Sequence, residues 1–170
     1  MEAAELKALQ EPIKERYRKD PQSAVVTLAA RGDINDPTGL SCSVDTARAL
    51  VKAGLHPATG GDGTLVCSGD MLLQALVACA GVTLRAIATS TGIPVSGGVI
   101  TAHGDLDFRG TLGVDREAPV GFAAIRLTFE LTTQAGPQEL ATLRKLTERY
   151  CVVYQTLVRG VPVTTDFVTS

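Results

Sequence analysis

The chain has 170 residues and 17.8 kDa, 45% hydrophobic, 20% charged and 4% aromatic, with no tryptophan. That size and apolar content suit a single domain that buries roughly two-thirds of its unfolded surface, which excludes intrinsic disorder and a disulfide-stapled mini-fold. Sixteen basic against eighteen acidic residues give a net charge of −2; the basic residues are scattered, so no field draws nucleic acid or anionic lipid, and neither is expected as a partner.

Residues 1–20 are charged and helix-like, without the basic, apolar and small-residue order of a secretory signal. Leu6, Leu9, Ile13 and Tyr17 fall at helical spacing, and Pro12 predicts a helix start or break. This segment reads as a partly detached N-terminal arm before one domain over 21–170. Residues 24–30 (AVVTLAA) form a β-branched run, and 39–46 alternate around Leu40, Cys42 and Val44, which predicts a hairpin. Residues 47–53 stay open between strand and helix. The glycine-rich stretch 56–69 reads as a loop of tight turns.

Ser68 is placed to N-cap the next helix, with Asp70 in its first turn. Residues 71–89 are apolar nearly all round; the stretch barely reaches spanning length and contains Gln74 and Arg85, so a buried helix is expected rather than a membrane span. Residues 99–108 and 122–132 alternate as antiparallel strands. An amphipathic helix carrying Leu140, Leu143, Leu146, Tyr150 and Val153 is predicted to run from 136 to about 156, followed by a strand over 161–168. Strands in pairs between helices predict an α+β fold with an antiparallel sheet. A small sheet with one helix leaves part of the apolar helix uncovered, so a second copy, and hence a homodimer, is expected.

Cysteines 42, 67, 79 and 151 show no CxxC pattern and are expected as reduced thiols in a cytoplasmic protein. Cys79 has two readings. It is a small buried hydrophobe, or it is a nucleophile, in which case a cation must reach it from another element. Arg85 lies about 240° around the helix from it and marks a rim instead. Cys151 is either packing or the second thiol of a peroxidatic and resolving pair, in which one thiolate is oxidised to a sulfenic acid and the other closes a disulfide. His56 and His103 are far apart without a ligand pattern, and GGDG lacks the following lysine of a phosphate loop, so neither metal nor cofactor is expected.

Gly60, Gly61 and Asp62, then SGDMLLQALVACAGVTLRAIA over 68–88, then RYCVVYQTL over 149–157 resemble the OsmC/Ohr superfamily of thiol-dependent peroxide reductases, across roughly 40–168. The resemblance implies an antiparallel sheet wrapped around a long buried central helix in an intertwined homodimer. It implies that Cys79 attacks an organic hydroperoxide or hydrogen peroxide, that Cys151 resolves it, and that a dithiol such as a lipoyl group re-reduces the pair. The family's carboxylate ten residues before the cysteine, which holds an arginine against the thiolate, is replaced by Gly69. Asp70 is the nearest carboxylate, and Arg31 or Arg48 would be the arginine. Asp70 also reads plainly as a first-turn residue and Arg31 as a solvated strand-end charge. Val152 replaces the proline that commonly follows the second cysteine. The alternative function is a non-enzymatic dimer of the same fold that binds a small hydrophobic ligand at its interface.

Overall fold

A computed structural model describes residues 3–33, 43–44 and 53–168. The first element, α1 (Ala3–Lys19), runs through Pro12 without stopping. Pro12 is exposed, so the backbone bond it removes falls on the solvent side, where water takes the freed carbonyl. The arm is not detached. Tyr17 is fully buried, its hydroxyl donates to the Ala58 carbonyl at 2.7 Å, and the Gln10 amide donates to the Thr59 carbonyl at 3.1 Å.

A 3-10 turn at Pro21–Ala24 leads into β1 (Val25–Asp33). β1 pairs antiparallel with β2 (Ser43–Val44) through Gly32 and Val44, as the predicted hairpin requires, and along its whole length with β5 (Val95–Asp107). β5 then pairs antiparallel with β6 (Phe122–Thr133), giving the sheet order β2-β1-β5-β6. Two elements predicted by alternation are therefore present, β5 extending four residues further toward the N-terminus than expected. A short helix, α3 (Phe108–Thr111), follows β5. Residues 45–52, which hold all but Ala53 of the segment whose class was open, and Cys42 lie outside the described residues.

β3 (Ala53–Gly54) and β4 (Val66–Cys67) make a two-stranded parallel pair around the glycine-rich loop. Within that loop Pro57–Thr59 form a 3-10 turn closed by Gly60 in the left-handed region at φ 97°. A Cβ at Gly61 would fall 1.8 Å from the Leu55 carbonyl oxygen, so only glycine lets the two backbones meet there.

The loop delivers α2 (Ser68–Thr91), capped by Cys67 rather than by the expected Ser68, and ended by Gly92 in the left-handed region. By length and hydropathy alone α2 could cross a membrane. In this fold it packs against β1, β5 and two later helices, α4 (Pro137–Tyr150) and α5 (Val152–Arg159), burying Leu73, Leu76, Val77, Ala80, Leu84, Ile87 and Ala88. Leu72, Ala75, Val82 and Ala86 remain exposed at alternating spacings of three, seven and four, with half-buried Cys79 between them. The apolar character all round the helix is thus used on one side and left open along a stripe.

The helix predicted over 136–156 is two helices. α4 (Pro137–Tyr150) opens with a capping box in which Glu139 accepts the Gly136 N–H at 2.8 Å. It stops at Cys151, which takes an extended conformation (φ −70°, ψ 109°), and α5 (Val152–Arg159) begins at once. Cys151 Sγ accepts the Tyr154 N–H at 3.5 Å, so the cysteine itself caps the second helix. Two β-branched valines at the restart are poor continuers of a helix, which favours the break. The strand predicted over 161–168 is corrected: the segment forms no strand, and Val163, Phe167 and Val168 are more than four-fifths exposed. Alternation supplies a strand's faces but not its neighbour, and among the described residues no strand pairs with this segment.

Candidate active site

The break at Cys151 brings the start of α5 against the middle of α2. Cys79 and Cys151, 72 residues apart, become electrostatically interacting neighbours there. The described cysteines 67, 79 and 151 are all free thiols. Cys151 is fully buried, whereas Cys79 is half-buried on the open stripe of α2.

The two sulfurs have opposite acidities. Burial pushes the Cys79 thiol up, but the backbone N–H of Val153, the Cys151 thiol, the N–H of Val152 and the Thr83 hydroxyl all donate to it and hold it below the ordinary thiol value. Burial pushes the Cys151 thiol up to about 11; the Tyr154 and Val153 N–H groups work against this, and the neighbouring Cys79 sulfur adds to it. The pair therefore resolves into one sulfur more acidic than an ordinary thiol and one that keeps its proton. The first three amides of α5 have no helical carbonyl to reach, and all three are spent on these two sulfurs.

Asp70 stands elsewhere. It lies nine residues before Cys79, about 13 Å along the axis at 1.5 Å per residue. Burial raises its carboxyl, and the neighbouring His56 lowers it. His56 is stacked on Phe108 at 5.0 Å, and its Nδ1 accepts the Ala58 N–H at 3.0 Å. The start of α2 thus holds a carboxyl near an imidazole that braces the loop, apart from the two sulfurs. Arg31 sits on β1 in register with Thr101. Arg85 donates to the Val95 carbonyl at 2.6 Å, consistent with a rim. Cys67 caps α2 and packs at the edge of the core.

Sequence reasoning asked for a cation at Cys79. The groups that lower it in the described structure are uncharged donors. Thr83 was within reach of the sequence, being one helical turn beyond Cys79. The Val152 and Val153 amides were not, because nothing in the spacing marks the helix break that aims them.

Beside the pair runs an apolar groove of about 1040 Å³ between α2, β6, α4 and α5. Leu76, Ala80, Leu127, Phe129, Leu143 and Leu157 line it, with Cys151 in its wall. No cluster of ligating side chains suited to a metal occurs among the described residues.

Comparison with known proteins agrees with this architecture. The protein-family model for OsmC-like protein matches residues 61–166. Among solved structures, the chain is similar to an OsmC-like hydroperoxide resistance protein from Jannaschia sp. CCS1, with a TM-score of 0.61, 12% identity and coverage of 86% of this chain and 95% of that one. It is also similar to an OsmC-like protein from Mycoplasma pneumoniae, with a TM-score of 0.55, 15% identity and coverage of 80% and 86%. No curated protein matches the chain significantly. With the family model spanning more than half of its length and the same α+β architecture in both solved structures, the chain belongs to the OsmC-like protein family.

Proposed function

We propose that the protein is a thiol-dependent peroxidase in which Cys79 is the peroxidatic sulfur and Cys151 the resolving one. The observation that carries this reading is the meeting of two free thiols, Cys79 on α2 and Cys151 at the start of the helix packed against it, in a chain of the OsmC-like family. The Cys79 thiolate attacks the terminal oxygen of a hydroperoxide; the O–O bond breaks, the remaining oxygen leaves as the alcohol after taking a proton, and Cys79 becomes a sulfenic acid. Cys151 then attacks that sulfur, a disulfide forms, and the hydroxyl leaves with the Cys151 proton as water. A dithiol reductant, itself oxidised to a disulfide, returns both thiols.

The assembly proposed with it is an intertwined homodimer in the cytoplasm, its sheet wrapped around α2. Supporting this are the open stripe of α2 through Leu72 and Val82, the exposed apolar tail through Phe167, and the outer edge of β6, which pairs on one side only among the described residues. A second copy would cover the stripe and shield Cys79.

One equivalent of cumene hydroperoxide, followed by acid quench and mass mapping, tests the chemistry. The expected product is a Cys79–Cys151 disulfide with stoichiometric alcohol, and Cys79→Ser abolishes both. An unoxidised protein with the hydroperoxide intact overturns the reading. The apolar groove favours a second reading, a non-enzymatic binder of a small hydrophobic ligand; it predicts saturable uptake of an apolar fluorophore together with no peroxide consumption.

A further inference from the structure

Two threonines inside this protein's helices spend their hydroxyls on the preceding turn. In α4 the Thr142 hydroxyl donates to the Gln138 carbonyl at 2.9 Å, and in α2 Thr91 donates to the Ile87 carbonyl at 2.7 Å. Thr147, five residues after Thr142 in the same helix, does not. It is 3% exposed, and its Oγ1 is buried without a hydrogen-bond partner among the described residues. Such an oxygen is destabilising, and valine would fill the same space without it, so packing does not explain the residue. Thr147 stands in the wall of the apolar groove with Leu143 and Cys151, each four residues away, and with Leu76 and Ala80 of α2. Its carbonyl accepts the Cys151 N–H at 3.0 Å, one helical turn on. The exposed charges that also line the groove answer each other, Arg144 donating to Glu148 at 2.8 Å. Thr147 is thus a neutral, unspent group in an apolar wall.

We propose that Thr147 is the specificity-determining residue of the groove: its hydroxyl pairs with an oxygen on a neutral, otherwise apolar occupant and holds that end of it one turn from Cys151. The inference rests on the peroxidase reading and deepens it, by naming the group that selects an oxygenated substrate or product over its hydrocarbon analogue. Ligand sites of this size are lined mostly by apolar side chains, with a few polar groups that set orientation. A site that hydrogen-bonds an oxygen rejects the analogue lacking it, because the site's own polar group is then left unpaired. Threonine in a helix has two accessible χ1 wells, which exchange hydroxyl and methyl, so the hydroxyl can turn to the occupant without any movement of α4. The paired charges of Arg144 and Glu148 favour a neutral head over a carboxylate.

The test compares two probes of one shape, cumyl alcohol and tert-butylbenzene, which carries a methyl where the alcohol carries its hydroxyl. Each displaces an apolar fluorophore from the reduced full-length protein. Thr147→Val is expected to weaken the alcohol about three- to tenfold, the scale of one hydrogen bond, and to change the hydrocarbon by less than about twofold. Thr147→Ser keeps the hydroxyl and is expected to keep the wild-type ratio of the two affinities. Thr147→Val is also expected to melt no lower than the wild type, since it loses an unpartnered polar atom. A lower melting temperature, which a structural hydroxyl would give, or an unchanged affinity ratio overturns the proposal. A second measurement needs no variant: bound cumyl alcohol is expected to show intermolecular NOEs to the Thr147 methyl of the wild-type protein. Their absence contradicts the proposal, as does binding of neither probe, the outcome if a second copy of the chain fills the groove. None of these readouts uses a peroxide. A protein that passes them yet leaves cumene hydroperoxide intact refutes the peroxidase reading alone; one that forms the Cys79–Cys151 disulfide but keeps its affinity ratio in Thr147→Val refutes this inference alone.

Discussion

The starts of α2 and α5 are built from similar parts and do different work. Each follows a cysteine, Cys67 before α2 and Cys151 before α5. α2 is 24 residues long with an acid in its first turn, whereas α5 has eight residues and none. By the length of its dipole the first would be chosen as the activating centre. Yet Cys67 makes no side-chain capping bond, and Asp70 is answered by His56. The short helix gives all three leading amides to two sulfurs. On the proposed reading, what activates a thiol is where orphan amides point; the length of the helix behind them matters less, because dipolar effects fade beyond the first turn.

Breaking the comparison at its strongest point means removing the sulfur. Cys79→Ser is expected to abolish peroxide-driven disulfide formation, with a loss of at least about 1,000-fold in peroxide consumption, the scale on which removal of a covalent nucleophile acts. Cys151→Ser is expected to leave Cys79 oxidisable once, arrested as a sulfenic acid that a dimedone-type probe captures; an unlabelled Cys79 would count against its role. At the other helix start the expected effect is architectural. Tyr17→Ala removes a fully buried aromatic that ties α1 to the Ala58 carbonyl, and denaturant unfolding should show a cost of about 3–5 kcal/mol. The alkylation midpoint of Cys79 in the folded variant is expected to stay where it is.

Smaller effects sharpen the contrast. Thr83→Val deletes one hydroxyl donor to Cys79 and is expected to slow alkylation at neutral pH by roughly three- to tenfold, as loss of one hydrogen bond to a charged group at a partly solvated site allows. Asp70→Asn is expected to change it by less than about twofold. At about 13 Å through a water-like dielectric a unit charge contributes only ~0.3 kcal/mol. A tenfold effect of Asp70→Asn would return the activating role to the start of α2.

The parts of this architecture that were legible in the sequence were those with a periodic signal of their own. The apolar run through Leu73 and Leu84 announced α2, and alternation announced β5 and β6. The break at Cys151 was not legible because Leu143, Leu146, Tyr150 and Val153 keep helical spacing straight through it. The packing of α1 was hidden by its polar composition, since its anchorage rests on a few residues, chiefly buried Tyr17 with Gln10 and Ile13. The tail shows the opposite error: its alternation is real, but a strand is a relation between two segments, and Val163 and Phe167 lie exposed. At the site, both sulfurs were identifiable from the chain, whereas backbone donors carry no side-chain signature. A search of the sequence for a cation could not have found Val152 and Val153.

The most direct test of the account is the midpoint of Cys79 alkylation against pH in the reduced wild-type protein, with Cys151 followed in the same digest. The account predicts that Cys79 titrates below the ordinary thiol range near 8.5 and that Cys151 stays unreactive until far higher pH. Coincident midpoints, or a Cys79 midpoint above that range, would contradict it.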